Sequence, residues 1–111
     1  MMQPPGAVLQ PGTGLQPGTG PTVGPVVVII RNKRGLHARA SAKFVTLASG
    51  FDAVVTVTKD GACVTGTSIM GLMMLAAAPG DTVELSASGP QAEVAVAALA
   101  GLIEAKFDER D

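Results

Sequence analysis

The Asp60-Gly61 pair, set between two β-rich runs, limits what this chain can become more than any other feature. Asp52-Ala53-Val54-Val55-Thr56-Val57-Thr58 lies on one side of it and Ala62-Cys63-Val64-Thr65 on the other. Asp-Gly readily takes positive φ at both centres of a two-residue turn, the geometry that joins twisted antiparallel strands. The two runs are therefore predicted to pair as a hairpin through Lys59-Asp60-Gly61. Cys63 falls in the shorter run, where a small buried filler is the expected role. As the chain's only cysteine it can form no internal disulfide, and one Cys with one His makes no zinc site of the usual multi-cysteine type.

The flanking sequence supplies partners for that hairpin. Pro25-Val26-Val27-Val28-Ile29-Ile30 is a β-branched run too short for a helix of normal length, closed by Arg31-Asn32-Lys33-Arg34-Gly35; it reads as the first strand. From His37 to Ala48 the pattern turns helical, with Ala40, Phe44 and Leu47 on one stripe, Ala38, Val45 and Ala48 beside it, and Ser49-Gly50 as a stop. A second helix is predicted from Ile69 to Ala78, capped by Ser68 or Thr67 and ended by Pro79-Gly80. It is apolar all round, so it is either wholly buried or presents one face to a partner. Asp81 to Ser88 alternates with Val83, Leu85 and Ala87 on one face, as a half-buried strand does. After Gly89-Pro90-Gln91, Ala95, Leu99, Leu102 and Ile103 form the inward stripe of a third helix, and the charges from Lys106 to Asp111 are expected to be solvated. The order β-α-β-β-α-β-α with short connections predicts an α+β domain, a four-stranded antiparallel sheet covered on one face by three helices.

That domain is expected to span residues 25 to 111. Residues 1 to 24 hold six of the fourteen glycines, five of the eight prolines and a tandem Leu-Gln-Pro-Gly-Thr-Gly repeat, without a charge. They read as a flexible tail, because Pro-Gly pairs interrupt helix and strand alike. No stretch approaches the ~20 apolar residues of a membrane span, and no basic start with an apolar run marks a secretory signal, so a cytoplasmic location without membrane contact is expected. With no Trp, no Tyr and three Phe, a nucleic-acid reader built on stacked aromatic rings is disfavoured.

Charge is partitioned along the chain. Residues 1 to 51 carry Arg31, Lys33, Arg34, Arg39 and Lys43 and no acid, whereas residues 52 to 111 carry nine acids against three bases. The bases cluster around the only histidine, in Arg34-Gly35-Leu36-His37-Ala38-Arg39-Ala40. A helix starting there leaves the N–H groups near Ala38, Arg39 and Ala40 without intrahelical acceptors. The macrodipole favours an anion at such an end by about 0.3–1 kcal/mol, and Arg39 can offer a charge-assisted fork to phosphate oxygens. A ring among positive groups is expected to remain neutral and nucleophilic. These properties suit a histidine that attacks phosphorus and briefly carries the phosphoryl group, exposed enough to fit two different active sites. Other readings are an ordinary surface histidine or a non-catalytic regulatory module that binds through the basic face. A metal site lacks co-ligands, and a Ser-His-Asp hydrolase lacks a nucleophile motif at Ser68 and an acid near His37 in sequence. No cofactor is expected.

Two segments carry a family resemblance. Gly35-Leu36-His37-Ala38-Arg39 resembles the active-site motif of the HPr-like phosphocarriers of bacterial phosphotransferase systems, and Thr67-Ser68-Ile69-Met70-Gly71-Leu72-Met73 resembles their regulatory serine segment. The similarity spans about residues 25 to 107 with matching separation of His37 and Ser68. It implies an open-faced β-sandwich and a carrier that is a transfer intermediate rather than an enzyme. His37 would accept phosphate on Nδ1 from phosphorylated enzyme I, itself charged by phosphoenolpyruvate, and pass it to an enzyme IIA protein, with Arg39 as stabiliser. Ser68 would be the target of an HPr kinase/phosphorylase, while Arg34, Ile69, Met70 and Met73 would dock partners of a monomeric carrier. The resemblance extends to both sugar-uptake and nitrogen-related branches, with a lean to a regulatory one. Many members have proline where this chain has Ala40, which keeps an N–H that proline lacks.

Overall fold

The computed structural model describes residues 22 to 109. Eight residues, Thr22–Ile29, form β1, followed by α1 (Ala38–Ala48), β2 (Val54–Lys59), β3 (Ala62–Thr65), α2 (Ile69–Met74), β4 (Thr82–Ser88) and α3 (Ala92–Glu104), with a closing 3-10 turn at Lys106–Asp108. The four strands form one antiparallel sheet in the order β1-β4-β2-β3. The expected hairpin is present: Lys59 pairs with Ala62, and Asp60 and Gly61 take φ of 51° and 85°.

Alternation decides which face of the sheet is covered. Val83, Leu85 and Ala87 of β4, Val55 and Val57 of β2 and Val28 of β1 are buried, whereas Val27 and Ile29 on the opposite face of β1 are exposed. The helices supply the other half of the core through Ala40, Phe44 and Ala48 of α1, Leu72 of α2, and Ala92, Ala95, Val96, Leu99 and Ile103 of α3. Burying these side chains without a tryptophan or tyrosine relies on close packing of many small apolar groups, each contributing in proportion to its area.

Several boundaries differ from the sequence expectation. β1 begins at Thr22, three residues before Pro25, and pairs Thr22 with Ser88 across a register shift between Val23 and Val26. The rest of the expected tail, residues 1 to 21, lies outside the described residues, as do Arg110 and Asp111. α2 ends at Met74 rather than Ala78, because Leu75 and Ala77 turn into the core and Ala76 takes a φ of 53°. Continuous apolar character concealed that stop, which is set by tertiary burial and not by Pro79-Gly80. Leu47 and Leu102 are half-buried rather than central to their stripes. Cys63 is exposed: β3 is the sheet's edge strand and Cys63 points away from the core, contrary to its expected role as a buried filler.

Candidate functional site

The loop from Arg31 to His37 is shaped by two residues. Gly35 takes a φ of +63°, and a Cβ there would lie 2.1 Å from the Ala77 carbonyl oxygen; no other residue fits both demands. Asn32, fully buried, donates from Nδ2 to the Gly35 carbonyl at 2.8 Å. Leu36 N–H then donates to the Ala77 carbonyl at 3.0 Å, which ties the loop to the chain just beyond α2. Ser41 completes the turn, its backbone N–H donating to the His37 carbonyl at 2.9 Å and its hydroxyl to the Leu36 carbonyl at 3.3 Å.

These bonds place His37 at the N-cap of α1, in extended conformation with φ −74° and ψ 180°. The expected helix start is therefore confirmed, but one expected anion donor is already engaged: Arg39 N–H donates to Nδ1 of His37 at 3.2 Å. The imidazole is 22% exposed. It opens into a cleft of about 580 Å³ lined by Lys33, Arg34, Arg39, Lys43, Asp108 and Glu109. Four of the five bases of the first half of the chain thus converge on the histidine, as their spacing suggested.

Two members of the site escaped the sequence. Glu109, 72 positions after His37, places Oε2 against His37 Nε2. Its Oε1 accepts a hydrogen bond from Asn32 Nδ2 at 3.1 Å. The charged C-terminal stretch is consequently not all solvated: Phe107 is fully buried, and Lys43 Nζ donates to its carbonyl at 2.7 Å. Lys106, Phe107 and Asp108 have φ of 60°, 55° and 60°, a left-handed turn that costs L-residues about 1–2 kcal/mol each and is held by the Phe107 anchor. A single aromatic residue inside a charged run was the available signal. Asn32 read only as a turn former, yet its Oδ1 is buried with no hydrogen-bond partner among the described residues.

The other sequence-selected residues lie on α2. Ser68 is its N-cap, with Oγ accepting from Gly71 N–H at 3.0 Å. Gly71 also lets α2 lie close to β3, since a Cβ there would meet Val64 Cβ at 3.1 Å. Of the two options for this apolar helix, one face is left over: Ile69, Met70 and Met73 are exposed, and Met74, not selected from sequence, is the most exposed of the group at 78%. Among the described residues no group of three His, Cys, Asp or Glu side chains could hold a metal ion, and no helix is long and apolar enough to cross a membrane.

Comparison with known proteins agrees with this geometry. A family model described as the PTS HPr component phosphorylation site matches residues 26–105. The chain is 54% identical over 80 residues to a phosphocarrier protein HPr of Neisseria meningitidis, covering 72% of this chain and 90% of that protein. It is 44% identical over 82 residues to the phosphocarrier protein NPr of Shewanella violacea, covering 74% and 90%. The crystal structure of HPr-C-His from Thermoanaerobacter tengcongensis superposes with a TM-score of 0.74 at 48% identity, covering 78% of this chain and 97% of that one.

Proposed function

The chain belongs to the HPr family of phosphocarriers of the phosphotransferase system, and from that premise we propose that His37 is the residue that carries the phosphoryl group. The observation that carries this reading is the placement of a partly exposed imidazole at a helix N-terminus, inside a cleft with Lys33, Arg34 and Arg39. Cations and unpaired N–H groups at that position stabilise the charge of a phosphoryl group in transit. The same partial exposure lets two different active sites reach the ring in turn.

In this reading phosphorylated enzyme I, charged by phosphoenolpyruvate, donates to His37, and an enzyme IIA protein receives. Arg39 steadies the phosphoryl oxygens from the cleft wall. Arg34 and the exposed Ile69, Met70 and Met73, extended by Met74, form the docking surface; flexible methionines suit a surface that meets more than one partner. Ser68, half-buried at the cap of the same helix, is the regulatory site for an HPr kinase/phosphorylase. The carrier works as a monomer in the cytoplasm and is itself the transfer intermediate. Relatives bearing both the HPr and the NPr name resemble this chain, which suits either the sugar-linked or the nitrogen-linked branch.

Incubation with enzyme I and phosphoenolpyruvate, followed by intact mass measurement before and after mild acid, tests the assignment. One acid-labile phosphate mapped to His37 is expected. Failure to gain it with several enzymes I would overturn the reading in favour of a regulatory module that binds through the basic face.

A further inference from the structure

The geometry points to Glu109 as a positioning residue that holds His37 in the tautomer with its proton on Nε2, leaving the Nδ1 lone pair as the nucleophile; this rests on the phosphocarrier reading of His37. A neutral imidazole has one N–H and one lone pair, and their placement decides which nitrogen can attack phosphorus. Two contacts from opposite ends of the domain give the same assignment. Arg39 N–H donates to Nδ1 at 3.2 Å, so that nitrogen is the acceptor. Glu109 Oε2 lies against Nε2, and an ionised carboxylate can only accept, so that nitrogen must be the donor.

Glu109 is itself held in place. Asn32 Nδ2, fixed by its second bond to the Gly35 carbonyl, grips Oε1, while buried Phe107 and the bond from Lys43 Nζ to its carbonyl anchor the turn just before it. The buried amide therefore connects the loop that presents His37 to the acid that orients it. This arrangement resembles the carboxylate partners that fix ring orientation and tautomer in metal-binding histidines.

The tautomer simplifies the transfer. As the Nδ1 lone pair forms its bond to phosphorus, the bond between phosphorus and the donor breaks and its electron pair leaves with the donor. No proton has to move, because Nε2 keeps its own. The ring becomes cationic, with the Glu109 carboxylate beside it to offset that charge, and Arg39 N–H is released from Nδ1 to face a phosphoryl oxygen. Onward transfer runs the same steps in reverse: the nitrogen–phosphorus bond breaks and its electrons return to Nδ1.

Long-range proton–nitrogen correlation spectra of the histidine-labelled full chain, recorded where the ring is neutral, read the tautomer directly. The wild-type protein should show Nε2–H almost exclusively. Glu109→Gln keeps the size of the side chain but presents a donor as well as an acceptor, and Glu109→Ala removes both. In each variant the Nδ1–H share should rise several-fold, and the rate of phosphoryl uptake from phosphorylated enzyme I should fall about tenfold, the scale of one charge-assisted hydrogen bond. An unchanged tautomer in both variants, or an altered tautomer with unchanged uptake, overturns the proposal. A purely structural Glu109 would lower the thermal midpoint and leave the tautomer alone, which also overturns it. If wild-type His37 accepts no phosphate at all, the carrier reading falls while the tautomer measurement still decides the role of Glu109.

Discussion

His37 and Ala40 separate chemistry from scaffolding at the level of single residues. Removing the imidazole in His37→Ala should abolish phosphotransfer, since no other described side chain in the cleft is a nucleophile of that kind; residual acid-labile phosphate in the variant would refute the assignment. Ala40, where many relatives have proline, is the third residue of α1 and fully buried. Proline is compatible with a first helical turn, where N–H groups lack intrahelical acceptors. Ala40→Pro should therefore change folding stability by no more than about 1 kcal/mol and phosphotransfer only modestly. A large loss in a steady-state phosphotransfer assay, with folding intact, would show that the Ala40 N–H contributes directly to holding the phosphoryl group. Both residues were legible in the sequence because their roles follow from local geometry, a cap and a first turn. Glu109 was not, because its role depends on a contact 72 positions distant.

At the scale of elements, α2 bears the proposed regulatory serine and the C-terminal turn anchors Glu109. Ser68 caps α2 through Gly71 N–H and stands directly before Ile69 and Met70, exposed by 41% and 70%. A phosphate there adds about −1.5 to −2 charge at pH 7, satisfied locally by the helix end but placed beside an apolar docking face. Ser68→Asp should slow transfer from enzyme I by about tenfold, the cost of setting an unmatched charge against a contact surface; an unchanged rate would leave Ser68 as a cap alone. The C-terminal turn has a different dependence. Its three left-handed residues stay in place because Phe107 is buried, and Phe107→Ala should cost about 3 kcal/mol in a urea titration. The same variant should loosen Glu109 and raise the Nδ1–H share at His37, whereas a stability loss without that change would show that the turn and the site are uncoupled. Periodicity exposed the helices and the alternating β4 but misjudged α2. A helix of six residues has too few turns to display a face, so only packing could reveal that Leu72 goes in and Met70 goes out.

Across the whole molecule, antiparallel pairing was the legible part, because Asp60-Gly61 commits β2 to β3 and the alternating Val83, Leu85 and Ala87 commit β4 to a single covered face. Sheet order was not legible: β4 lies between β1 and β2, and nothing local in the sequence encodes that neighbourhood. The order has a functional result. Ile30 N–H donates to the Asp81 carbonyl at 2.8 Å and Gly80 N–H to the Ile30 carbonyl at 2.8 Å, so the strand that delivers the His37 loop is fastened where the chain leaves α2 and enters β4. Four of the five bases of the first half are thereby fixed in one cleft instead of spread over a surface. Lys33, Arg34, Arg39 and Lys43 around one ring outnumber Asp108 and Glu109 in the cleft lining; on the phosphocarrier reading their field would draw acidic donors, screened over a Debye length of about 10 Å at 0.1 M salt. The second-order rate of transfer from phosphorylated enzyme I should fall about tenfold between 50 mM and 500 mM salt, while Arg34→Ser should lower the rate at low salt and flatten its dependence on ionic strength. Arg34 lines the cleft, and among the described residues its side chain makes no bond that holds the loop, so the variant should retain its fold and its single acid-labile phosphate. A salt-independent rate in the wild-type chain would mean that docking is governed by the apolar face of α2 alone, and that the clustered bases act only after the complex has formed.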